Sequence, residues 1–152
     1  PMSEESFRVA ELLLDDFKCS HILMRLALEA QGRDDPDLIR AMSGLALGMG
    51  QGFNCGALSA GCCVIGYYAG RGGDGESEHT ELGAMLDDFA GWFTAAATGQ
   101  YGGINCSDIM KFDEALKRER CPALIIATWA KIKETLADHG VDITVPPEEE
   151  KP

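Results

Sequence analysis

Phe7, Ala10, Leu13, Leu14 and Phe17 recur at steps of three and four, and Ile22, Leu23, Leu26 and Ala27 repeat the pattern directly afterwards. Such spacing lines apolar side chains along one helical face, so it predicts two helices in succession. Asp35 before Pro36 supplies a capping side chain and a proline suited to the first helical position. Leu38, Met42, Leu45 and Met49 then carry a third helix to Gly48, Gly50 and Gly52, whose backbone entropy ends it.

From Cys55 to Gly70 the chain holds no charge and is dominated by small residues, which lets neighbouring helices approach closely; this predicts a central core helix. Arg71 to Glu78 is a glycine-rich charged loop. Leu82, Met85, Leu86, Phe89, Phe93 and Ala96 form the clearest amphipathic stripe, with a turn expected over Gly99–Gly103 that could fold Tyr101 toward a site. Ile109, Phe112 and Leu116 predict a shorter helix, and Ile125, Trp129, Ile132 and Leu136 a last one, closed by Gly140. Nothing alternates like a strand. The expected fold is all-α: a single-domain bundle of about six or seven helices around a central small-residue helix. It spans residues 2–140, followed by an acidic, flexible tail over 141–152.

Composition narrows the function. The 152 residues carry 13 basic and 25 acidic side chains, a net charge of −12, which disfavours nucleic acid and anionic lipid as partners. No apolar run is long enough to span a membrane. Residues 3–18 mix acidic and apolar side chains without a signal-peptide pattern, which predicts a cytoplasmic protein. In a reducing compartment the six cysteines are expected to be metal ligands, redox thiols or buried apolar groups rather than permanent cross-links.

Three cysteines share a local context: Phe17-Lys18-Cys19, Phe53-Asn54-Cys55 and Ile104-Asn105-Cys106. Each stands where a predicted helix begins, and Cys121, preceding Pro122, reads as the cap of a fourth. Unpaired amides at a helix start stabilise a thiolate over a thiol. If the four starts converge, Cys19, Cys55, Cys106 and Cys121 are cofactor-binding or metal-ligating residues, for an iron–sulfur cluster or for tetrahedral zinc. The same residues could instead form thiol–disulfide redox couples without metal, or the chain could be a structural helical interaction module. Adjacent Cys62 and Cys63 are too far along the central helix to join the set and are expected to be buried structural residues. His21 is a possible ligand or proton donor, but more simply a hydrogen-bonded residue near a helix start.

This layout resembles the C_GCAxxG_C_C family of redox-active proteins, with Cys19 as first cysteine, Cys55-Gly56-Ala57 as central motif, and Cys106 and Cys121 as the last two. Ala60 stands where the pattern has its final glycine, unless Gly61 serves in its place. The family is similar to the cysteine-bearing part of split-Soret cytochromes, which implies an iron–sulfur centre and electron transfer; no CxxCH haem motif is present. An acidic surface further predicts a basic redox partner protein, and the uncharged central helix would suit a homodimer interface.

Overall fold

The computed structural model describes residues 3–147, and among them it holds seven helices and no strand. The first, α1 (Glu4–Leu14), starts at Ser3, whose hydroxyl accepts the Ser6 amide at 3.1 Å, with Glu4 and Glu5 complementing the positive helix end. α2 (Cys19–Ala30) follows after a four-residue link. α3 (Pro36–Met42) is capped by Asp35, whose carboxylate accepts the Leu38 amide at 3.1 Å. The central helix, α4 (Gly56–Ala69), is followed by α5 (Leu82–Tyr101), the short α6 (Cys106–Met110) and the long α7 (Glu114–Asp138).

α4 packs against α2, α5 and α7 and buries Ala57, Ala60, Gly61, Val64, Ile65 and Ala69. Its small residues are what permit this crowding. A side chain at Gly61 would fall inside the ring of Phe89, which is fully buried on α5, so the Phe89 ring packs directly onto the α4 backbone at Gly61. At Gly61, next to fully buried Ala60, there is no room for a side chain.

Several expected boundaries shift. α3 stops at Met42, and Leu45 belongs to a short 3-10 turn over Ser43–Leu45. Leu47 and Met49 then take left-handed backbone (φ 56° and 58°), so an apolar spacing that mimics a helix is in fact a left-handed turn running into Gly48–Gly52. The segment read as one helix through Ile109 and Leu116 is divided, because Lys111 and Phe112 both sit at positive φ. α5 continues through Gly99 to Tyr101 before Gly102 (φ 85°) ends it, so the expected turn is mostly helix.

The start proposed at Cys121 is also overturned. Asp113 already caps α7, its carboxylate accepting the Ala115 amide at 2.8 Å, so Pro122 lies inside a running helix, where it withholds one backbone hydrogen bond. Beyond α7, the expected tail does not begin at Val141. Val141 is buried, Ile143 packs against the core and receives the Tyr68 hydroxyl on its carbonyl at 2.8 Å, and Pro147 is buried. The acidic run Glu148–Glu150 lies outside the described residues. No described helix is long and apolar enough to cross a membrane.

Candidate functional site

The recurring Asn–Cys context has a structural cause. Asn54 and Asn105 face each other in an isolated antiparallel bridge; the Cys55 amide donates to the Ile104 carbonyl at 2.9 Å and the Cys106 amide to the Phe53 carbonyl at 2.7 Å. Two segments some fifty residues apart are thereby held side by side just where each delivers a cysteine to a helix start. Cys55 caps α4 and Cys106 opens α6, while Cys19 opens α2. Cys121 reaches the same region from within α7.

All four sulfur-bearing residues line one cavity of about 1020 Å³. Its walls are otherwise largely apolar, supplied by α1 (Val9, Ala10, Leu13), the left-handed turn (Leu47) and α7 (Leu124, Ile125), with Lys18, Lys117 and Glu114 among the charged groups. Cys62 and Cys63 do not line it. Cys62 is half-buried and Cys63 is exposed, which corrects the expectation that both are buried: the packed face of α4 runs through Ala57, Ala60, Val64 and Ile65 and leaves position 63 outward.

Within the cavity, Cys19 and Cys55 are electrostatic neighbours. A side chain at Gly56 would meet the Cys19 sulfur at 2.7 Å and the Leu45 carbonyl at 3.1 Å, so glycine after Cys55 is what lets the Cys19 sulfur approach the start of α4. The Cys19 thiol pulls the Cys55 pKa below the usual thiol value against the opposing effect of burial, and the Ala57 and Leu58 amides at the start of α4 assist. Cys19 moves the other way: beside Cys55 it holds its proton far above the ordinary range, with burial and the charges of Cys55, Cys121 and Cys106 adding to the effect. Burial also raises Cys106, and raises Cys121 to about 11, in each case with help from Cys55 and against Lys117.

Helix starts therefore do not favour four thiolates equally, as the sequence reading expected. Desolvation outweighs the helix field at Cys106, and Cys121 is not at a helix start at all. Only Cys55 is biased toward the charged, nucleophilic form. Since alkylation proceeds through the thiolate, the pH midpoint for iodoacetamide labelling of Cys55 is expected below that of an ordinary thiol, with that of Cys121 near about 11. Labelling across a pH series, mapped by mass spectrometry, measures both.

His21 is occupied structurally. Its Nδ1 accepts the Lys18 amide at 3.0 Å, which leaves Nε2 to donate to the Ser43 hydroxyl at 2.7 Å, and burial, then Lys18, lowers its pKa. Tyr101 does not line the cavity; its ring lies 5.1 Å from the Arg120 guanidinium, and Arg120 in turn donates to the Ile109 carbonyl at 2.8 Å, joining α5, α6 and α7 beside Cys121. Sequence reasoning missed the contribution of α1 to the cavity wall, although the stripe through Ala10 and Leu13 marked its inner face.

Among the described residues, no three His, Cys, Asp or Glu side chains are grouped closely enough to hold one metal ion. The side chains as they stand thus do not form the tetrahedral socket a single zinc requires. In number and kind, four thiols on one cavity remain the donor set of an iron–sulfur cluster.

The fold is an all-helical bundle that gathers four cysteines on one cavity, and burial with the neighbouring thiols sets their pKa values apart. The chain belongs to the family described as "Putative redox-active protein (C_GCAxxG_C_C)", whose sequence model matches residues 17–135. No curated protein and no solved structure matched the chain.

Proposed function

We propose that the protein is a thiol–disulfide redox protein whose working couple is Cys19–Cys55. The observation that carries this reading is the placement of the Cys19 sulfur against Gly56, the residue after Cys55, on one shared cavity; the two thiols are biased in opposite directions, Cys55 toward thiolate and Cys19 toward thiol. An attacking thiolate with a protonated resolving thiol nearby is the arrangement that exchange requires.

The chemistry balances with a disulfide-bearing partner as the electron acceptor. The Cys55 thiolate attacks one sulfur of the partner disulfide, forming a mixed disulfide and releasing a thiolate. Once Cys55 is bonded its charge is gone, and with it part of what held the proton on Cys19. Cys19 then gives up that proton and attacks the Cys55 sulfur, closing the Cys19–Cys55 disulfide and releasing the second partner thiolate. Two electrons pass from protein to partner, and the Cys19 proton leaves with them.

A second reading is favoured by the presence of Cys106 and Cys121 on the same cavity. Under it, Cys19, Cys55, Cys106 and Cys121 hold an iron–sulfur cluster, which when bound supplies one-electron transfer. The residues' own part is then to provide sulfur ligands and an apolar wall that limits water.

Anaerobic purification followed by iron and sulfide analysis, an absorption spectrum and thiol counting tests both. The couple predicts a loss of two thiols on mild oxidation without visible absorbance. Iron and sulfide in the isolated protein, with four cysteines protected from alkylation, would replace the first reading by the second. Six thiols unchanged by oxidation, with no cluster, would contradict both.

A further inference from the structure

Cys55 is only 7% exposed, so a partner disulfide has to be admitted to it. One lightly anchored wall of the cavity is α1. It contributes Val9, Ala10, Leu13 and Leu14 to the cavity, yet of its eleven residues only Val9 and Leu12 are buried, and Leu14 is 87% exposed. Opposite it, α2 buries eight of its twelve residues and is fixed in the core.

Besides Val9 and Leu12, which reach the core, polar contacts hold α1 in place. Glu5 accepts the Trp129 indole N–H at 2.6 Å and the Lys133 ammonium at 2.7 Å, and Arg8 reaches Glu29 of α2 at 2.8 Å. At the other end the helix closes through Asp16, a non-glycine residue at φ 66°, with the Phe17 amide bonded to the Leu12 carbonyl at 3.0 Å. Phe17 is itself pinned to α2: Arg25 lies 4.9 Å from its ring centroid, and the His21 ring packs edge-on at 5.6 Å. A helix tied by side chains near its start and by a strained link at its end, with the link leading straight into Cys19, is built to pivot at that link.

We propose that α1 is a hinged wall of the four-cysteine cavity, latched by Glu5 to Trp129 and Lys133, which swings about Asp16 to expose Cys55. This rests on the reading of Cys55 as the attacking thiol, but it is tested by access alone. In the fully reduced full-length chain, iodoacetamide labelling is followed at each cysteine by mass spectrometry. Glu5→Ala removes both latch contacts, and Trp129→Phe removes the indole donor while keeping an aromatic ring. The expected result is an increase of about tenfold in Cys55 labelling for Glu5→Ala, a smaller increase for Trp129→Phe, and no change at half-buried Cys62, which lies off the cavity.

Unchanged Cys55 labelling in both variants would overturn the gate, and so would a parallel increase at Cys62, because that is general loosening. Hydrogen exchange on the unaltered protein gives a check that needs no variant. Amides of α1 are expected to exchange by a local opening well before those of α2; α1 exchange only through global unfolding would also overturn it. If the unaltered protein forms no Cys19–Cys55 disulfide but Glu5→Ala still accelerates Cys55 labelling, the gate stands and the couple falls.

Discussion

Replacing Gly56 by alanine is expected to slow Cys55 alkylation roughly tenfold near neutral pH while leaving stability nearly unchanged. The added methyl would stand 2.7 Å from the Cys19 sulfur and 3.1 Å from the Leu45 carbonyl oxygen, so the sulfur has to withdraw. Its withdrawal weakens the interaction that contributes most to holding Cys55 as a thiolate. The two remaining supports, the Ala57 and Leu58 amides, are set against desolvation, and the Cys55 pKa rises. A rise of one unit removes about nine-tenths of the thiolate at a pH below both values. Stability moves little because the atom in the way is the end of the Cys19 side chain rather than backbone, and the Leu45 carbonyl at 3.1 Å need give only slightly. Labelling across a pH series and thermal unfolding of the same variant separate the two effects. A Cys55 midpoint that does not move would mean the two thiols are not coupled.

Gly61→Ala is expected to do the reverse, destabilising the bundle by at least about 2 kcal/mol without a direct effect on the cysteines. Its methyl would occupy space already filled by the Phe89 ring, which is fully buried and packed beside Trp92 and Phe93. Neither partner can yield without moving α4 away from α5. For a chain of this size the loss corresponds to a fall in melting temperature of about 4–8 °C. Phe89→Leu alone leaves a void, but combined with Gly61→Ala it makes room for the methyl, so the double variant is expected to lose less than the sum of the singles. Thermal or urea unfolding of the four proteins checks this. Additive losses would show that the close approach lies elsewhere.

The helices were legible in the sequence wherever one face is buried against one neighbour, as with Met85, Phe89 and Phe93 on α5. They were misread where backbone conformation, not burial, sets the boundary. Leu45 and Met49 keep helical spacing, yet the chain between them turns left-handed at Leu47, and apolar periodicity carries no information about the sign of φ. Pro122 reads as a helix start in isolation, but the Asp113 cap has already started α7 upstream, and a helix under way can absorb one missing hydrogen bond when its flanks are packed.

At the site, the local context of Cys19, Cys55 and Cys106 was visible, but its cause was not. The Asn54–Asn105 bridge joins segments distant in sequence, so no window along the chain contains it. The thiol pKa values were beyond reach for the same reason. Helix position is a local property and predicted thiolates; burial is a tertiary one, and it reverses the outcome at Cys106 and Cys121. The contact of Gly56 with the Cys19 sulfur, which makes Cys55 the exception, appears only once α2 and α4 are packed.

Peptide mapping of the oxidised protein identifies the sulfurs that exchange electrons. The protein is oxidised with one equivalent of a low-molecular-weight disulfide, blocked with iodoacetamide and digested without reduction. The expected product is a disulfide-linked pair of peptides containing Cys19 and Cys55, with exposed Cys63 alkylated. Cys19 and Cys55 both recovered alkylated, while the oxidant is consumed at Cys62 or Cys63, would contradict the Cys19–Cys55 couple.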